Sequence, residues 1–141
     1  MEYITETDSR LRNYSNNTTT YTYPELVPKV EEDKAARPTV ITLCGSTRFK
    51  ADFMAMLENL TLAGNIVLLP GYFGHQEGAI PISDGVKEHL DALHKQKIDM
   101  SDYIYVINKD GYIGDSTKSE IAYAKEHGKG ILYYESIGEK I

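Results

Sequence analysis

A single cysteine, Cys44, stands in 141 residues, so no disulfide framework holds this chain together. That is the usage of a reducing compartment, and the expectation is a cytoplasmic protein. Paired metal motifs are missing as well: His75, His89, His94 and His127 have no second cysteine or zinc-type spacing around them, and no metal site is expected from spacing. No apolar run approaches the roughly 20 residues of a membrane-spanning helix. The start of the chain is polar and lacks the apolar core of a signal peptide. Basic residues are outnumbered, with 15 Lys and Arg against 21 Asp and Glu, a formal charge of −6. That balance argues against a nucleic acid polymer as partner, since backbone binding needs clustered cations. A small anion remains compatible, because a few backbone N–H groups and one arginine suffice to hold it.

What is present divides into two parts. Residues 1–37 carry the polar tract Ser15–Thr20, tyrosines, and prolines at positions 24 and 28. They read as an arm, either flexible or packed on the domain or a partner subunit through Tyr21, Tyr23, Leu26 and Val27. Residues 38–141 read as one domain, and a chain of this length buries roughly two-thirds of its unfolded surface.

Within that domain, strands alternate with helices. Thr39–Cys44 is a β-branched apolar run, the pattern of a strand buried on both faces. Gly45, Ser46 and Thr47 break it. Phe49, Phe53, Met56, Leu57 and Leu60 recur at helical spacing up to Gly64, a C-cap candidate. Residues 65–69 form a second strand, and a long loop over 70–83 follows. Val86, Leu90, Leu93 and Ile98 mark a helix; 103–108 is a third strand, 116–127 a helix closed by Gly128, and 130–134 a fourth strand. Such alternation predicts an α/β three-layer sandwich, flavodoxin-like, with a doubly wound, mainly parallel sheet. The expected strand order is 2-1-3-4, with the switch point between strands 1 and 3, where ligands bind in such folds.

The loops after strands 1 and 3 then become neighbours. Gly45, Ser46, Thr47 and Arg48 form a turn suited to an anion: glycine admits close approach, the helix start offers N–H groups, and arginine adds a bidentate contact. The same residues also read as an ordinary N-cap with a solvated arginine. Across the crevice stand Gly114, Asp115, Ser116 and Glu120. Glu120 has two readings. Thr117-x-x-Glu120 fits a capping box, in which the carboxylate reaches back to the cap residue's N–H; alternatively, the carboxylate faces a ligand. Asp115 is either an N-cap or a ligand contact. Tyr72, Phe73 and His75 read as a lid over a planar ring or as packing at the sheet edge. His89 and His94 read as surface or partner contacts. Asp99 and Asp102 belong to the end of strand 3 remote from the crevice.

Three segments carry a resemblance: Val40–Ser46, Asp102–Asn108, and Ser116–Ala124 with Gly128–Leu132. Together they resemble the nucleoside 2-deoxyribosyltransferase superfamily, which includes the 2′-deoxynucleoside 5′-phosphate N-hydrolases. The resemblance spans about residues 38–134. It implies cleavage or transfer of an N-glycosidic bond by double displacement, with Glu120 as nucleophile and Gly45–Arg48 at the 5′-phosphate of a nucleotide. No cofactor is implied, and a homo-oligomer is. Three departures stand out: Thr42 occupies the place of a strand-1 tyrosine, Asp91 and His94 are the nearest matches to an aspartate in the helix before strand 3, and Ser116 replaces a glycine. The alternative is a module of the same fold that binds a nucleotide without cleaving it.

Overall fold

The computed structural model describes residues 37–137; of the arm expected over residues 1–37, all but Arg37 lies outside the described residues. Four strands form one parallel sheet in the order β2-β1-β3-β4. In chain order the elements are β1 (Val40–Gly45), α1 (Lys50–Leu62), β2 (Ile66–Leu68), α2 (Asp84–Asp99), β3 (Tyr103–Ile107), α3 (Asp115–Glu126) and β4 (Gly130–Tyr133). Short 3-10 turns over Thr47–Phe49 and Lys109–Gly111 follow β1 and β3. The architecture is the three-layer α/β sandwich with the expected strand order.

Central and edge strands differ as their sequences imply. Every residue from Val40 to Cys44 is buried, and β1 pairs on both sides, Ile41 with Val67 and with Tyr103. β2 is shorter than the apolar run 65–69, because it is an edge strand that pairs only with β1, and Ile66 stays exposed. Asn65 is drawn out of the strand to close α1: its backbone N–H and its Nδ2 both donate to the Leu60 carbonyl at 3.1 and 3.0 Å. Gly64 precedes it at φ 96°, the left-handed conformation a helix C-terminus favours.

Alternation along the strands separates two cores. One face carries Ile41, Leu43, Tyr105, Ile107 and Leu132 under Phe53, Met56 and Leu60 of α1. The other carries Cys44, Ile104, Val106, Ile131 and Tyr133 under Ile98 of α2 and Ala124 of α3. Full burial of a side chain such as Phe53 or Leu60 stabilises the fold by about 1.5–3 kcal/mol relative to exposure. Of the four apolar residues that mark α2, only Ile98 is buried; Val86 and Leu93 are exposed and Leu90 lies between.

At the sheet end remote from the β1 and β3 loops, Asp102 accepts both guanidinium nitrogens of Arg37, at 2.8 and 2.9 Å, and the Val40 N–H at 2.9 Å. These bonds hold its carboxyl below the usual range, the Arg37 hydrogen bond contributing most. Arg37, counted with the arm by sequence, is thus tied to the domain.

Candidate active-site crevice

A cavity of about 820 Å³ opens over the carboxyl ends of β1 and β3. Gly45, Ser46, Thr47 and Arg48 line one side of it, and Gly114, Asp115, Ser116 and Glu120 the other. Tyr72 and His75 of the long loop complete the set. All ten residues singled out by sequence therefore border one space at the switch point.

The β1 side is built on a glycine. Gly45 adopts φ 148°, and a Cβ there would lie 2.8 Å from the Ile107 carbonyl oxygen. Only glycine lets the ends of β1 and β3 approach this closely. Ser46 then caps the turn: its Oγ accepts from the Arg48 backbone N–H at 3.3 Å and from Arg48 Nε at 3.1 Å. Arg48 is not a freely solvated side chain, since its guanidinium also stacks 4.5 Å from the Tyr112 ring centroid. Thr47 Oγ1 and His75 Nδ1 are hydrogen-bonded at 2.8 Å, which ties the 70–83 loop to the turn. Phe73 takes the other course open to it. It packs edge-to-face on Phe53 at 5.6 Å, as part of the α1 core and not of a lid.

On the β3 side, Gly114 is the N-cap of α3 and no side chain caps the helix. Asp115 is the first helical residue, so it is not the cap, and Glu120 falls in the second turn. The capping box at Thr117 and Glu120 does not form, because the helix starts three residues earlier than that motif requires. Thr117 and Glu120 are instead buried. Ser116 Oγ accepts from Lys87 Nζ at 3.3 Å, and Lys87 also pairs with Asp91 at 3.2 Å. This chain of contacts joins α2 to the head of α3 on the cavity wall.

In and beneath the wall lies a cluster that spacing did not disclose. Cys44, His94 and Glu120 are all buried, and their ligand atoms lie within 4.8 Å of one another. The Cys44 thiol lies beside the Glu120 carboxylate, within 4.8 Å of it. His94 Nε2 stands 3.5 Å from Cys44 Sγ. His94 is thus an interior residue, unlike the surface role its neighbours suggest, while His89 is exposed. Two signals pointed inward: strand alternation puts Cys44 on the face opposite Leu43, and Leu90, His94 and Ile98 repeat every fourth residue. The element that joins them is tertiary, because residues 44, 94 and 120 come from β1, α2 and α3.

Burial sets the protonation of this cluster. It raises the Glu120 carboxyl from 4.5 to about 7; the neighbouring Cys44 thiol opposes the rise, Asp91 adds to it, and Lys95 and Lys87 oppose it. His94 is lowered from 6.5 to about 4 by burial and by the charge of Lys97, against the nearby Leu43 backbone and the charge of Asp91. Burial pushes the Cys44 thiol well up, helped by the Glu120 charge. At neutral pH the imidazole is neutral, the thiol is protonated, and the carboxyl is poised between its two forms.

Thr42 faces the same side of the sheet but is spent elsewhere. Its Oγ1 donates to the Lys97 carbonyl at 3.1 Å and contacts Ser101 Oγ at 2.5 Å, fastening the end of α2 to β1. Lys97 Nζ in turn donates to the Leu69 carbonyl at 2.8 Å, holding the edge of the long loop.

No family model, curated protein or solved structure matches this chain. Fold and site define it as a parallel α/β protein with a buried carboxylate beside a cavity at its switch point.

Proposed function

We propose that the protein cleaves or transfers the N-glycosidic bond of a deoxynucleotide or nucleoside, with Glu120 as nucleophile. The observation that carries this reading is that Glu120 and the Gly45–Arg48 turn border the same cavity. A sugar held between them would present its anomeric carbon to the carboxylate and its 5′ substituent to the turn. Glu120 attacks that carbon as the bond to the base nitrogen breaks, through an oxocarbenium-like transition state. The base leaves with the bonding electron pair and takes a proton from solvent water. Water or a second base then displaces the carboxylate and restores it. His94 is neutral at neutral pH and so is no cationic acid for the leaving base. The neighbouring Cys44 thiol favours the ionised form that attack requires. Ile82 and Leu93 border the cavity and remain 37% and 52% exposed, an apolar rim suited to a second copy of the chain.

One observation favours the binding module instead: with its carboxyl at about 7, Glu120 is only partly ionised at neutral pH. Incubation with a panel of deoxynucleoside monophosphates, followed by chromatography for free base, separates the two. Release of base that Glu120→Gln abolishes is the expected result. Release that survives Glu120→Gln would remove Glu120 from the nucleophile's role. Thermal stabilisation by nucleotides without release would leave only the binding module.

A further inference from the structure

Cys44, His94 and Glu120 supply one thiol, one imidazole and one carboxylate, the three donor types that zinc accepts. Hard cations such as Mg2+ and Ca2+ take oxygen ligands and would leave the sulfur unused. Zinc bonds of about 2.3 Å to sulfur and 2.0–2.2 Å to nitrogen and oxygen, set at a tetrahedral angle, give donor–donor edges of about 3.4–3.6 Å. The Cys44 Sγ to His94 Nε2 separation is 3.5 Å, one such edge. One Glu120 carboxylate oxygen lies within 4.8 Å of both, and the terminal torsion of a glutamate is soft enough to close the rest.

From this geometry we propose that Cys44, His94 and Glu120 together bind a divalent metal ion, Zn2+ being the best match. The scaffold is preorganised, since the donors project from three packed elements and all three side chains are buried. Once the thiol has lost its proton to solvent, thiolate and carboxylate together match a charge of +2. Asp91 adds negative field, and Lys87 and Lys95 oppose it. His94 and Glu120 border the cavity while Cys44 lies fully buried beneath, so the fourth position faces the cavity. Three protein ligands and one open position are the pattern of a reactive, exchangeable zinc rather than a closed structural one.

A regulatory consequence follows, and it alone rests on the glycosidase reading above. A carboxylate bound to metal is no longer free to attack carbon, so Zn2+ would switch Glu120 off as a nucleophile.

The test is a Co2+ titration of the reduced, metal-stripped full-length protein, followed in the near ultraviolet and visible. Cys44 is the one cysteine in the chain, so a thiolate-to-cobalt charge-transfer band reports on it without any variant. The expected result is that band, together with tetrahedral d–d bands, saturating at one ion per chain and abolished by Zn2+. His94→Gln and Glu120→Gln should each weaken Co2+ by more than about tenfold, the scale that even outer-shell changes reach. No charge-transfer band at saturating Co2+ would overturn the proposal, as would a band that both variants leave intact. The same samples are assayed for base release with and without Zn2+. A band without base release retains the metal site and removes the glycosidase reading. Base release without a band does the reverse.

Discussion

Glu120→Gln should make the protein more stable at pH 8 and leave it nearly unchanged at pH 5. The folded state holds the Glu120 proton more tightly than the unfolded chain, with the carboxyl raised from 4.5 to about 7. Between those two values the native state binds more protons, so stability falls as pH rises, and the loss is complete above the folded value. At about 1.4 kcal/mol per pH unit, the cost of ionising Glu120 in place is on the order of 3 kcal/mol. The residue is 8% exposed, so solvent screening removes little of that. His94 works in the opposite sense. Its imidazole is lowered from 6.5 to about 4, so the unfolded chain binds more protons in that window, and stability rises with pH there. The two slopes oppose each other between about 4.5 and 6.5 and nearly cancel in the wild-type protein. Urea unfolding at pH 5, 6, 7 and 8, in buffer containing a chelator, reads the difference directly as a change in midpoint at constant slope. The wild-type curve should be flat at low pH and decline above pH 6. The Glu120→Gln curve should rise and then level off. A difference between the two proteins that does not grow from pH 5 to pH 8 would refute the burial argument.

Arg48→Ala should weaken deoxynucleoside monophosphates by about tenfold, the scale of one charge-assisted contact, and the matching nucleosides far less. Calorimetry on both ligand types checks this, and equal weakening would remove Arg48 from the phosphate site. Gly45→Ala should destabilise the fold by about 2 kcal/mol or more, because it sets a Cβ 2.8 Å from the Ile107 carbonyl at a φ of 148°. Thermal unfolding reads it, and a change below about 0.5 kcal/mol, the scale of a surface substitution, would mean that β1 and β3 separate without strain. Leu60→Ala empties a fully buried position between α1 and the sheet and should cost about 2–5 kcal/mol by urea unfolding, with the cavity residues untouched.

The strands were legible because burial on both faces leaves an unbroken apolar run, and Val40–Cys44 is such a run. From strand order the position of the cavity followed, since an open parallel sheet has one place where neighbouring loops diverge. The helix start at Gly114 was harder. Thr117 with Glu120 and Gly114 with Asp115 are both acceptable local beginnings, and only packing of Thr117 and Glu120 into the interior decides between them. Phe73 was ambiguous for the same reason: its place depends on Phe53, twenty residues away and facing it across the α1 core. Least legible was the partnership of Cys44 and His94 with Glu120. Each looks ordinary on its own element, and the chemistry appears only when three elements meet. Thr42 shows the converse, a position that resemblance marks for the site and that packing uses to fasten α2.

The sheet's centre has a kinetic consequence. β1 and β3 are paired neighbours, yet Ile41 meets Tyr103 across a long stretch of chain that holds α1, β2 and α2. Pairings this distant in sequence close late, after local contacts such as those of α1 with β2 have formed. Cys44 belongs to β1, His94 to α2 and Glu120 to α3, so the cluster exists only where all three have packed together. Any partly folded species that stops short of that step has no crevice at all. Burial of the lone thiol therefore reports on the packing of β1 with α2 and α3, elements far apart in the sequence.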